Sequence, residues 1–290
     1  MDQTGYVRAP DGEKIWYGTT GQGPAVVLCD GLACDGFIWP YLMDRLADRY
    51  RLIRWHYRGH GESAPPSNPD SYDIPEIARD LRRILDHLDA DAPVIAGHSM
   101  GVQVLLQFTL DNPGVARGLI TLCGSFGRPL DTLKDTDFAH RVLPYLERLV
   151  TMAPNTTQTL WKTVLPTRLT NLVATATETN PRMMGARDML PYLEHVAKMD
   201  LQIFLKLVRN AAEHTTLEGL PDIDVPTLIV AGRGDTVTPL HRSEQMHELM
   251  PNSELLVVDD ATHVAPLEAP DEIGDAVEAF CERVFSKCRD

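Results

Sequence analysis

The sequence predicts an α/β fold: a mostly parallel sheet with helices on both faces, interrupted by an all-helical insertion. Three observations predict it. Short continuous apolar runs, the pattern of strands buried on both faces, alternate with segments of helical periodicity. In one chain of 290 residues that alternation calls for crossover connections and a single parallel sheet. From about Arg128 to Glu218 only helical pattern remains, after which strands resume.

The elements follow in order. "KIWYGTT" (14–20) is strand-like and "GQGP" turns the chain into "AVVLCD" (25–30), a buried strand. "FIWPYLMDRLADRY" (37–50) has helical spacing, with Trp39, Leu42, Met43 and Leu46 on one face. "RLIRWHY" (51–57) is a strand, and residues 72–90 form an amphipathic helix with Ile77, Leu81, Ile84, Leu85 and Leu88 in phase. "APVIAGHS" (92–99), "MGVQVLLQFTLDN" (100–112) and "RGLITLC" (117–123) read as strand, helix, strand. The helical stretch carries Pro144, Pro154, Pro166, Pro181 and Pro191 as punctuation, and Met152, Met183, Met184, Met189 and Met199. "VPTLIVAG" (225–232), "HRSEQMHELM" (241–250), "SELLVVDD" (253–260) and residues 270–288 close the pattern as strand, helix, strand, helix. Inserted helices after a strand's carboxyl end commonly roof a site; the alternative is that they only thicken the core.

Composition narrows the class. Apolar residues make up 43% and charged residues 23%, ordinary for a globular protein. A net charge of −14 and the lack of a basic stripe argue against a nucleic-acid partner. No run approaches the 18 or so apolar residues a membrane span needs, and the N-terminus lacks a signal-peptide pattern. Five cysteines, without CxxC or zinc spacing, read as free thiols in a reducing, cytoplasmic setting, with a Cys29–Cys34 bridge as the alternative. No metal or cofactor is expected.

"VIAGHSMGVQ" holds Gly97-His98-Ser99-Met100-Gly101, a G-x-S-x-G sequence that follows a strand and opens a helix. That turn strains the serine backbone and needs glycines where strand and helix crowd it. It lifts Ser99 above the sheet at a helix N-terminus, where developing negative charge is favoured. Serine is a weak nucleophile without a histidine held by an acid. His263 stands in the loop after the last strand and Asp235 in the loop after the preceding one. Both loops lie at carboxyl ends of strands, the edge where open α/β sheets carry their sites. Asp259 and Asp260 are alternative acids; His98 reads as a packing residue and His60 as a loop hydrogen-bonder.

With "GRGDTVTP", "ATHVAPLEAPDEI" and "YRGHGES", these motifs resemble the α/β-hydrolase family along nearly the whole chain. The resemblance implies an eight-stranded sheet, a hydrolase core over residues 1–127 and 218–290, and a helical cap over 128–217. It implies a Ser99–His263–Asp235 triad, with Ser99 where dehalogenases and epoxide hydrolases carry an aspartate nucleophile. Oxyanion donors would be the N–H groups of Met100, directly after the nucleophile, and Leu32, third in the Asp30-Gly31-Leu32 loop. The sequence departs from the family pattern at Thr262 (usually Gly), His56 (commonly Asp) and Asp30 (usually His). Asp30 is expected to turn from the site and bond loop N–H groups as an Asx turn. The expected activity is hydrolysis of small to medium apolar carboxylic esters, by a monomer or homodimer; the methionines of the insertion read as core residues, with an adaptable apolar wall as the alternative. C–C bond hydrolysis, lactone opening, perhydrolysis, acyl transfer and slow-turnover ligand sensing use the same machinery.

Overall fold

The computed structural model describes residues 1–66, 68, 71–131, 138–167, 179, 180, 183 and 186–286. Eight strands form one sheet in the order β1-β2-β4-β3-β5-β6-β7-β8. They are β1 (Gln3–Arg8), β2 (Lys14–Thr20), β3 (Ala25–Cys29), β4 (Arg51–Trp55), β5 (Val94–His98), β6 (Gly118–Leu122), β7 (Thr227–Gly232) and β8 (Ser253–Val258). From β4 to β8 every pairing is parallel, while β1 and β2 pair antiparallel at one edge. Residue patterning by itself reads seven of these strands. The eighth, β1, is an edge strand with exposed and half-buried side chains, so it shows no apolar face to read.

The central strands β3, β5, β6 and β7 are buried along their whole length. Alternate residues feed separate cores on the two faces. Val27, Cys29, Ile95 and Ile229 join α2 (Ile74–His87), α3 (Met100–Asp111) and α8 (Leu240–Leu249) on one side. Val26, Leu28, Ala96 and Val230 join α1 (Pro40–Leu46), the single turn α9 (Ala265–Glu268) and α10 (Pro270–Ser286) on the other. α2 starts where the Asp73 side chain accepts the Glu76 N–H at 2.6 Å, and it buries Ile77, Leu81, Ile84 and Leu85.

Between β6 and β7 lie α4 (Phe138–Met152), α5 (Pro154–Val164), α6 (Ala186–Lys198) and α7 (Leu201–Glu213). Pro154 opens α5, as a proline at a helix start should, whereas α4 carries on past Pro144. Polar ties fasten the layer. Asp200 caps α7 by accepting the Gln202 and Ile203 N–H groups. Gln158 bridges Met199 O and Leu201 N, and the Trp161 indole donates to Val196 O at 3.0 Å. Arg209 and Glu147 join α7 to α4. Cys29, Cys34, Cys123 and Cys281 are buried free thiols, so no Cys29–Cys34 bridge forms; Cys288 lies outside the described residues. Among the described residues no helix is long and apolar enough to cross a membrane.

Candidate active site

Ser99 sits in the turn between β5 and α3 with φ 54° and ψ −117°, a strained conformation for a residue with a side chain. The turn closes only because its flanks are glycine. A Cβ on Gly97 would strike the Gly101 backbone, and one on Gly101 would strike the Cys29 carbonyl. The strain is held by Ser99 N–H donating to Leu122 O at 3.1 Å and Val102 N–H to Ser99 O at 3.0 Å.

The three residues read from separate stretches of sequence meet here. His263 Nε2 is 2.9 Å from Ser99 Oγ, and His263 Nδ1 is 2.9 Å from Asp235 Oδ2. Asp235 is buried, and its Oδ1 accepts the Val237 and Thr238 N–H groups at 2.8 Å each. The Thr238 hydroxyl donates to Oδ2 at 2.8 Å. Burial by itself would raise the Asp235 pKa, but His263 and the Thr238 bonds outweigh it and hold it below the ordinary carboxylate value. The alternative acids point elsewhere: Asp259 pairs with Arg233 at the surface, and Asp260 is exposed. His98 is fully enclosed, as a packing residue would be, and it also donates from Nε2 to the His263 carbonyl at 2.9 Å. Burial and the neighbouring His263 push its pKa down to about 3, so it stays neutral. Thr262, where glycine is usual, is accommodated because its N–H and hydroxyl both donate to the buried Glu268 carboxylate.

The loop after β3 runs over the serine. Gly31 packs so closely there that a Cβ would lie 3.0 Å from His98 Nδ1 and 3.3 Å from Ser99 Cβ. The N–H groups of Leu32 and Met100 have no acceptor among the described residues. Asp30 corrects the Asx-turn expectation. Its Oδ1 accepts the Trp39 indole N–H at 2.5 Å, and the carboxylate is buried and absent from the cavities beside Ser99. A ring nitrogen nine residues on, from Trp39 just before α1, supplies the donor that loop N–H groups were expected to give.

Burial pushes the Asp30 pKa up to about 6, against the pull of Arg54 and the Trp39 bond. Since this lies above the ordinary value of 3.8, the contribution of Asp30 to stability is fully present below about pH 4 and is lost as pH rises through 6. The gap is worth on the order of 3 kcal/mol. Asp30→Asn keeps an acceptor for Trp39 without the charge. Its urea midpoint is expected to exceed that of the native protein at pH 8 and to match it at pH 4. Equal midpoints at pH 8 would contradict a buried ionised Asp30.

Two cavities meet at Ser99, Leu32 and Val237. One, of about 230 Å³, is walled by Met100, Gln103, Leu130, Val208 and Ala211. The other, of about 260 Å³, is walled by Phe37, Tyr192, His98, His263 and Val264. α6 presses Tyr192 onto Phe37 with ring centroids 5.0 Å apart. Its His195 donates from Nδ1 to Asp35 Oδ2 at 2.9 Å. Of the insertion's methionines, Met199 is buried in the core below, whereas Met152 and Met183 are exposed. Met184 and the Met189 side chain lie outside the described residues. Leu130, Val208, Ala211 and Tyr192 gave no sequence signal, since helical periodicity marks an inward face without saying whether core or cavity lies beyond it.

A family model described as alpha/beta hydrolase fold matches residues 24–270. The chain belongs to the alpha/beta hydrolase fold family. Among this alpha/beta hydrolase's relatives, haloalkane dehalogenase 2 of Mycobacterium bovis is 27% identical over 274 residues, 91% of this chain and 90% of the relative. Non-heme chloroperoxidase CPO-A1 of Kitasatospora aureofaciens is 26% identical over 257 residues, 87% of this chain and 90% of the relative. A thermophilic esterase from Thermogutta terrifontis shares the fold with a TM-score of 0.79 at 21% identity, covering 97% of this chain and 99% of that one. Chemistries this varied on one fold leave the reaction to be argued from the site.

Proposed function

We propose that this alpha/beta hydrolase cleaves carboxylic esters of small to medium apolar substrates through an acyl-enzyme on Ser99. The supporting observation is the unbroken hydrogen-bond line from Ser99 through His263 to Asp235, set between two apolar cavities. His263 Nε2 takes the Ser99 proton as Oγ bonds to the ester carbonyl carbon. The carbonyl oxygen gathers negative charge and is met by the N–H groups of Leu32 and Met100. The ester C–O bond then breaks, and the leaving alcohol takes the proton from His263. Water repeats the sequence, releasing the acid and restoring Ser99. Asp235 holds the imidazole in the Nδ1–H tautomer and stabilises its charged form.

The proton path also orients the substrate. The leaving oxygen must reach His263 Nε2, so the alcohol lies in the cavity His263 lines, with Phe37 and Tyr192. The acyl chain takes the other, against Leu130 and Ala211. A substrate that spans both cavities has a site within the roughly 300–1,000 Å³ range of small-molecule pockets, which suits small to medium esters. Residues 128–217 serve as the cap that walls both sides. Fluorophosphonate labelling followed by peptide mapping tests the reading: Ser99 is expected to carry the label, and Ser99→Ala to carry none. A panel of p-nitrophenyl and alkyl esters, lactones and peroxide then ranks the reactions. Labelling elsewhere, or no turnover of any ester, would overturn it.

A further inference from the structure

We infer that His60 and Tyr57 are positioning residues for catalysis: they fix the loop over Ser99 so that the Leu32 N–H faces the reacting carbonyl oxygen. The inference rests on the serine-hydrolase reading above. Neither side chain touches either cavity, and both come from the loop after β4, which neighbours β3 in the sheet.

The geometry restrains three successive peptide groups. The Tyr57 hydroxyl donates to the Asp30 carbonyl at 2.6 Å, which fixes the 30–31 peptide. Ala33 N–H donates to His60 Nε2 at 3.1 Å, which fixes the 32–33 peptide. Between them the Gly31 carbonyl accepts the Cys34 N–H at 3.2 Å. In a trans peptide the C=O and N–H point in opposite directions, so that last bond turns the Leu32 N–H the other way. The Leu32 N–H has no acceptor among the described residues, and Leu32 lines both cavities beside Ser99.

The fastening works against local preference. Ala33 has φ 54°, in the left-handed region that a residue with a Cβ avoids. An unrestrained loop would relax from it and carry Leu32 along. Tyr57 and His60 are buried and meet edge-on, with ring centroids 5.3 Å apart, so neither has room to swing. Accepting from Ala33 requires a bare Nε2, hence a neutral ring with its proton on Nδ1. There it faces the Arg58 carbonyl at 3.3 Å. Burial favours that state by pushing the His60 pKa down to about 4.

The test uses Tyr57→Phe, which removes one hydroxyl, and the pair His60→Phe and His60→Gln, which remove and retain a side-chain acceptor. For each folded variant, kcat and KM on a p-nitrophenyl ester and the Ki of a trifluoromethyl ketone are measured. A slack oxyanion loop is expected to lower kcat about 10- to 100-fold. KM should stay within about threefold and the ketone should weaken in step with kcat, because only the tetrahedral species uses the Leu32 N–H. His60→Gln should recover part of the loss. If His60→Phe does not fold, Tyr57→Phe carries the test, since its ring is unchanged. Unchanged kcat in the folded variants, or a loss that appears in KM with ketone binding intact, overturns the inference. Native protein whose Ser99 takes no fluorophosphonate overturns the underlying reading, and the inference with it.

Discussion

Asp235→Asn is expected to lower kcat for ester hydrolysis by about 10⁴-fold while leaving the fold intact, an effect of tautomer rather than of lost packing. Asp235 Oδ1 is committed to two backbone donors, Val237 and Thr238. An asparagine must therefore keep its amide oxygen there and place its NH₂ where Oδ2 now faces His263 Nδ1 at 2.9 Å. Facing a donor, Nδ1 becomes the acceptor and the ring proton moves to Nε2. That nitrogen then donates to Ser99 and cannot take its proton. Steady-state kinetics against the native enzyme, with thermal melts to establish folding, checks this. A variant retaining more than about a tenth of native kcat would show that Asp235 does not orient the base.

Asp80→Ala is expected to destabilise the fold by about 3–5 kcal/mol, the cost of leaving a buried cation without its main partner. Arg58 is fully buried in the "YRGHGES" loop, and Asp80, on α2, is fully buried too. They meet in a two-pronged pair, Nε to Oδ2 at 2.7 Å and Nη2 to Oδ1 at 2.8 Å. Asp11 at 2.9 Å and Glu76 at 3.4 Å touch the guanidinium from the rim and would remain. Urea denaturation is the measurement, and Asp80→Asn should fall between native and alanine because its oxygen still accepts. A loss below about 1 kcal/mol would mean that the rim carboxylates suffice. Arg58 lies between Tyr57 and His60, so the pair also anchors the loop that braces Leu32.

The tight turn at Ser99 was legible because its geometry is local: glycines on both sides of Ser99 are demanded by contacts within the turn and the adjoining strand. Asp235 and His263 were legible because a parallel sheet sends all its strand ends to one edge, so order along the chain implies nearness in space. The two-sided core was legible from continuous apolar runs, and the one strand whose pattern was silent, β1, is the one without a buried face. Asp30 marks the limit. Its place in the loop could be read, but its partner is the tryptophan that precedes α1, and no local rule names a side-chain partner nine residues on.

Sequence alone determined the fold class, the order of the elements after β1 that carry the site, and the identity of the three residues that converge. Each of these depends on periodicity, turn chemistry or chain order, which one strand or one loop expresses by itself. Tertiary structure alone decided the cavity walls, the tie of His98 to the His263 carbonyl and the bracing of the Leu32 loop by Tyr57 and His60. Those depend on side chains from separate elements meeting at hydrogen-bonding distance, and packing sets that distance, not the order of residues.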